Sequence, residues 1–203
     1  MKSIDLTKIS KFFDVNNREN YWREQWKKLN VHSRKINNER RGNFVIDSPP
    51  PTVSGSLHIG HIFSYTHQDL IARYKRMRGY NVVYPMGWDD NGLPTERRVQ
   101  NYFGVRAEPN IPYIKNLDVE KEKEKLGINK KHQLIISRQN FIEMCSLVTK
   151  EDEKAFKEVF ERMGYSIDWR DLYTTIDKKS RRIAQRSFLD LFQKEHIYQV
   201  ESP

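Results

Sequence analysis

Apolar and polar positions along the chain repeat with periods that change, and each change marks an element. Residues 16–30, NNRENYWREQWKKLN, set Tyr21, Trp22 and Trp26 between charged side chains, the pattern of an amphipathic helix that packs on a larger body. The apolar run Phe44-Val45-Ile46 predicts a strand over 43–47. After a Pro- and Gly-rich turn, Ile62, Phe63, Thr66, Leu70, Tyr74 and Met77 recur at helical spacing, with Gly79 as the stop. NVVYP, 81–85, predicts a second buried strand. A strand, a helix and a second strand in that order imply a parallel pair joined by a right-handed crossover, with a ligand crevice at the carboxyl ends of the strands. Both unusual loops, 48–58 and 86–94, follow a strand and fall on that edge.

Farther on the pattern weakens. Residues 113–133 carry dense alternating charge and few apolar side chains, which reads as a surface insertion or mobile loop. From Ser137 it recovers: Ala155, Phe156, Val159, Phe160 and Met163 form a stripe on a helix that ends at Gly164, a further helix runs from about Lys178 to Glu195, and IYQVESP reads as strand-like. The expected organisation is a helical leader over 1–42, the first βαβ half of a nucleotide site over 43–112, a charged insertion over 113–136 and a helical part over 137–203.

Composition narrows the class. A chain of 203 residues with 37% apolar and 12% aromatic content can bury a core, and its net charge of +9 favours a polyanionic partner such as RNA. Cys145 is the single cysteine, which rules out an intrachain disulfide framework and suits a reducing cytoplasm. Neither a signal-peptide core nor a run of 18 apolar residues occurs, so nothing points to a membrane.

The chemistry lies in the two loops. His58 and His61 are three apart at a helix start, which puts both imidazoles on one face beside backbone N–H groups and the positive end of the helix dipole, a setting for a triphosphate. Gly60 between them leaves bare backbone for a base or ribose to approach, and Pro49, Pro50 and Pro51 give the strand exit a rigid wall. Taken alone, HIGH is equally a pair of capping or packing histidines. In MGWDDNGLPTE, Asp89 and Asp90 stand at the end of the second strand, where a carboxylate can receive an ammonium group; one of the two acids, or Asn91, can instead cap the helix that starts near Leu93. The spacing of His58, His61 and Asp89 is a poor metal site.

Together, PPPTVSGSLHIGH and YKRMRGYNVVYPMGWDDNGLPTERRVQ resemble the class I aminoacyl-tRNA synthetases, and within them the valyl branch. The likeness extends through SFLDLFQKEHIYQVESP. Thr52, Val53 and Ser54 stand where many members have Asn, Val and Thr, and Asp90-Asn91-Gly92 stands where other members have His-Ala-Gly after the first acid. The resemblance implies an α/β fold, the N-terminal half of a Rossmann-like parallel-sheet nucleotide domain. It implies ATP, with Mg²⁺ on its phosphates, as the cofactor, and valine and tRNA(Val) as partners. His58 and His61 would stabilise phosphates, Gly55 and Gly60 would admit adenosine, Asp89 would hold the α-ammonium, and Pro49, Pro50 and Trp88 would line the amino-acid pocket. No KMSKS-like loop, editing domain or anticodon-binding domain is found in these residues, so the expectation is an N-terminal fragment of a cytoplasmic enzyme, monomeric at full length and inactive as the fragment. The competing expectations are isoleucyl or leucyl specificity, a standalone nucleotidyltransferase, and a non-catalytic RNA-binding or regulatory paralogue.

Overall fold

A computed structural model describes residues 11–34, 41–54, 57–90, 92–129 and 132–201. Helix α1 (Val15–Leu29) is capped by Asp14, whose carboxylate accepts the Asn17 N–H, and is closed by Asn30 in the left-handed region at φ 49°. Strand β1 (Asn43–Val45) leads through the proline turn into α2 (Ile59–Met77), and Gly79 at φ 86° lets the chain reverse into β2 (Asn81–Val83). β1 and β2 pair in parallel, Phe44 opposite Val82, so the expected strand–helix–strand unit is present with shorter strands.

The segment 81–90 organises the sheet because successive carbonyls of an extended chain point to opposite edges. The Val83 and Asp89 carbonyls accept N–H groups of Ile46 and Val53 on one edge, and those of Tyr84, Met86 and Trp88 accept N–H groups of Asp168, Tyr173 and Thr175 on the other. Strand β3 (Gly87–Trp88) thereby pairs in parallel with β6 (Tyr173–Thr174). Its side chains alternate as well: Val82, Tyr84, Met86, Trp88 and Asp90 are all buried on one face. That row packs on Phe156 and Phe160 of α5 (Arg138–Arg162) and on Tyr65 and Ala72 of α2, forming the larger core.

A smaller α/β unit follows. Helix α3 (Leu93–Phe103), strand β4 (Val105–Glu108), helix α4 (Val119–Lys125) and strand β5 (Leu134–Ser137) enclose Val99, Val105, Val119, Leu134, Ile136 and Phe141. β4 and β5 are parallel. Residues 113–136, expected as a charged insertion or mobile loop, thus hold a helix and a strand; the seven-residue α4 buries little beyond Val119 and the Lys123 stem, too few apolar positions to register as a period. Lys123 donates to the Phe103 carbonyl at 3.0 Å, which satisfies its buried ammonium.

Two apolar stripes lie differently from their sequence reading. In α2 the buried side chains are Tyr65, Asp69 and Ala72, whereas Phe63, Leu70, Tyr74 and Met77 are exposed. Asp69 faces inward because it is satisfied there: it accepts the Ser166 N–H and Oγ–H, both at 2.6 Å, and pairs with Arg73 at 2.6 Å. In α5 Phe156 and Phe160 are buried, while Val159 and Met163 are exposed on the adjoining face. Helix α6 (Lys178–Gln193) buries no residue, and residues 197–201 adopt no strand. No helix among the described residues is long and apolar enough to cross a membrane.

Candidate functional site

The site is built where the proline turn and the β3 exit lie side by side. Thr52 and Asp89 form a parallel bridge, with Val53 N–H to the Asp89 carbonyl at 2.8 Å and Asp89 N–H to the Pro51 carbonyl at 2.9 Å. Pro49 is exposed and Pro50 half-buried; the Pro49 carbonyl accepts the Tyr65 hydroxyl at 2.6 Å, which ties the turn to α2. Gly55 lies outside the described residues, as does Asn91.

His58 and His61 cap α2 reciprocally. The His58 Nδ1 accepts the Gly60 N–H at 3.2 Å, the His61 Nδ1 accepts the His58 N–H at 3.3 Å, and the rings stand 3.9 Å apart between centroids. The His61 and Ile62 N–H groups reach the His58 carbonyl. Backbone donors that the sequence reading left open to a triphosphate are therefore held by the histidines themselves. An anion bound at this end of α2 would have to displace the rings to take these donors over. An imidazole whose Nδ1 accepts a hydrogen bond carries its proton on Nε2 when neutral and leaves that N–H for another partner. Burial, then the charge of His58, pushes the His61 pKa down, which favours this neutral form. A Cβ at residue 60 would lie 3.0 Å from the His58 ring, so a larger residue there would make the ring shift on the cap.

Phe156 joins the two loops: its ring is 6.0 Å from His61 and 6.1 Å from Trp88. Trp88 is 1% exposed among Phe156, Phe160 and Trp169, so its indole is part of the core. The Asp89 carboxylate is half-exposed and accepts two hydroxyls, Thr52 at 3.3 Å and Thr175 at 3.3 Å. Asp90 turns the other way, into the core row. No N–H group donates to its oxygens, and burial followed by the neighbouring Glu153 carboxylate pushes its pKa up to about 7. Glu153, one turn before Phe156 on the same face of α5, is raised by burial too. Burial thus pushes both carboxyls toward their protonated forms, Asp90 further through the facing Glu153 charge. Thr175 and Glu153 escaped the sequence reading: they lie far along the chain from the loops and carry no motif. Among the described residues no group of three or more His, Cys, Asp and Glu could hold a metal ion.

The α2 N-terminus and the Asp89 carboxylate at the β3 exit belong to a chain whose family is shown. The family described as tRNA synthetases class I (I, L, M and V) matches residues 21–113 and 114–203, and the chain belongs to it. Within that family, the chain is 49% identical to the valine–tRNA ligase of Thermobifida fusca (strain YX) over 98% of its own length and 23% of that protein's. It is 48% identical to the valine–tRNA ligase of Bifidobacterium longum (strain DJO10A) over 99% of its length and 22% of the relative's. The chain thus spans less than a quarter of these relatives. In structure it resembles the LeuRS of an Agrobacterium radiobacter K84 LeuRS–tRNA–LeuAMS complex, with a TM-score of 0.63 and 23% identity over 94% of this chain and 19% of that one, which shows the shared α/β fold.

Proposed function

We propose that this chain forms the first half of the active site of a valine–tRNA ligase, which activates valine with ATP as valyl-adenylate and passes it to tRNA(Val). The observation that carries the reading is the Phe156 ring standing 6.0 Å from the His61 ring of the α2 cap and 6.1 Å from Trp88, the residue before Asp89, in a chain 48–49% identical to two valine–tRNA ligases across nearly its whole length. Such a reaction needs no protein nucleophile, because the amino acid carboxylate attacks the α-phosphate and pyrophosphate leaves. Its requirements are alignment and charge stabilisation. Asp89 receives the α-ammonium, Pro49 and Pro50 wall the side-chain pocket, and Gly55 and Gly60 admit the nucleotide. His58 and His61 leave their capping positions to donate Nε2–H to the phosphates as the freed N–H groups meet the same anion. Mg²⁺ held by the ATP phosphates would neutralise part of their charge. The full-length enzyme works as a monomer in the cytoplasm. Amino-acid-dependent ATP–pyrophosphate exchange by the full-length gene product tests the assignment: valine should support it best, and exchange that prefers isoleucine or leucine contradicts the substrate.

A further inference from the structure

We propose that Thr175 is a positioning residue that sets the orientation of the Asp89 carboxylate and hence the affinity for the amino acid. The inference rests on the reading that Asp89 receives the α-ammonium. Thr175 is anchored by its own N–H to the Trp88 carbonyl at 3.0 Å, one step beyond the β3–β6 pair. Its Oγ accepts the Asp90 N–H at 3.0 Å and donates its hydrogen to Asp89 Oδ1 at 3.3 Å. A hydroxyl has a single hydrogen, so accepting from a backbone N–H fixes which way that hydrogen points. One side chain therefore fixes the backbone after Asp89 and the rotation of its carboxylate, leaving Oδ2 for the second hydroxyl, Thr52. The two threonines are unequal: the Thr52 bond is exposed and water competes with it, while Thr175 is half-buried. The close approach of β6 to β3 depends on Gly87, where a Cβ would meet the Tyr173 ring at 2.2 Å.

The test is pyrophosphate exchange by the full-length gene product carrying Thr175→Val, of nearly equal shape without the hydroxyl, beside Thr175→Ser, which keeps it. Thr175→Val should raise KM for the amino acid about tenfold, with kcat and KM for ATP within about twofold, and Thr175→Ser should stay within about threefold of the unaltered protein. Hydrogen exchange over 88–92, read by mass spectrometry, should quicken in Thr175→Val and not in Thr175→Ser. An unchanged amino acid KM, equal losses in all three parameters, or unchanged hydrogen exchange in Thr175→Val overturns the inference while the functional reading stands. Absence of amino-acid-dependent exchange in the unaltered protein overturns the reading, and the inference with it.

Discussion

At the scale of single residues, the cap of α2 would carry two duties in the proposed site, both in one pair of rings. A histidine whose Nδ1 accepts a backbone N–H stabilises the helix end in the absence of ligand and offers a donor to an incoming anion. Gly60→Ala separates the two, because its Cβ meets the His58 ring at 3.0 Å and pushes it off the cap. The expected cost is about 1 kcal/mol in urea unfolding together with at least about a tenfold loss of exchange; a variant that keeps full exchange would detach the cap geometry from catalysis. His32 gives a second residue-scale prediction. Burial, then Arg76 and Arg73, push its pKa from 6.5 down to about 4. Between those values the unfolded chain binds the proton and the folded chain does not, so stability is complete above about pH 6.5 and falls as pH drops toward 4. The loss, discounted for partial exposure, is about 1–2 kcal/mol, and His32→Asn should flatten that limb of a pH series of denaturation midpoints.

At the scale of elements, β3 and α5 meet through a row that ends in an acid pair. Asp90 continues the alternation of Tyr84, Met86 and Trp88, and Glu153 continues the spacing of Phe156 and Phe160, so the two carboxyls meet because their elements pack. Here the sign is opposite to that of His32: the Asp90 pKa rises from 3.8 to about 7, so the unfolded chain loses its proton first and stability declines as pH climbs from about 4 to about 7. Asp90→Asn, which can donate to Glu153, should stabilise the protein by about 2 kcal/mol at pH 8 and leave it little changed at pH 4. An equal effect at both values would show that the Asp90 pKa is not raised in the folded protein. Phe156→Ala tests the same junction from the apolar side, with an expected loss of about 3–4 kcal/mol and a disturbed His61 resonance. Much of this was legible in the sequence. A leading helix over 16–30, a helix from the HIGH stretch to Gly79, a helix start near Leu93 and the parallel pair around Phe44 and Val82 follow from period and turn residues. The buried faces of α2 and α5 did not, because apolar stripes record every surface that is covered or shaped and cannot say which one the core claims. The inward face of α2 is led by Asp69, a charge made tolerable by Arg73 one turn on and by Ser166, which lies 97 residues along the chain where the periodicity does not reach. β6 and Thr175 were hidden for a related reason: a two-residue strand has meaning only through its partner.

At the scale of the molecule, two apolar clusters stand side by side, and the candidate site sits on the larger. The chemistry assembles from three stretches of chain, the proline turn, the β3 exit and the β6 segment, each locked to the next by backbone hydrogen bonds. The net charge of +9 accords with an RNA partner. Binding of tRNA by the full-length gene product should weaken steeply between about 50 and 200 mM salt, as counterion release requires. The measurement that bears most directly on the central claim is amino-acid-dependent ATP–pyrophosphate exchange by the full-length gene product, with valine, isoleucine, leucine and threonine in parallel and with His61→Ala and Asp89→Ala as controls. Strong exchange with valine, lost in both variants, is the expected result; exchange that survives both substitutions, or that valine does not support, would contradict the site and the function assigned to it.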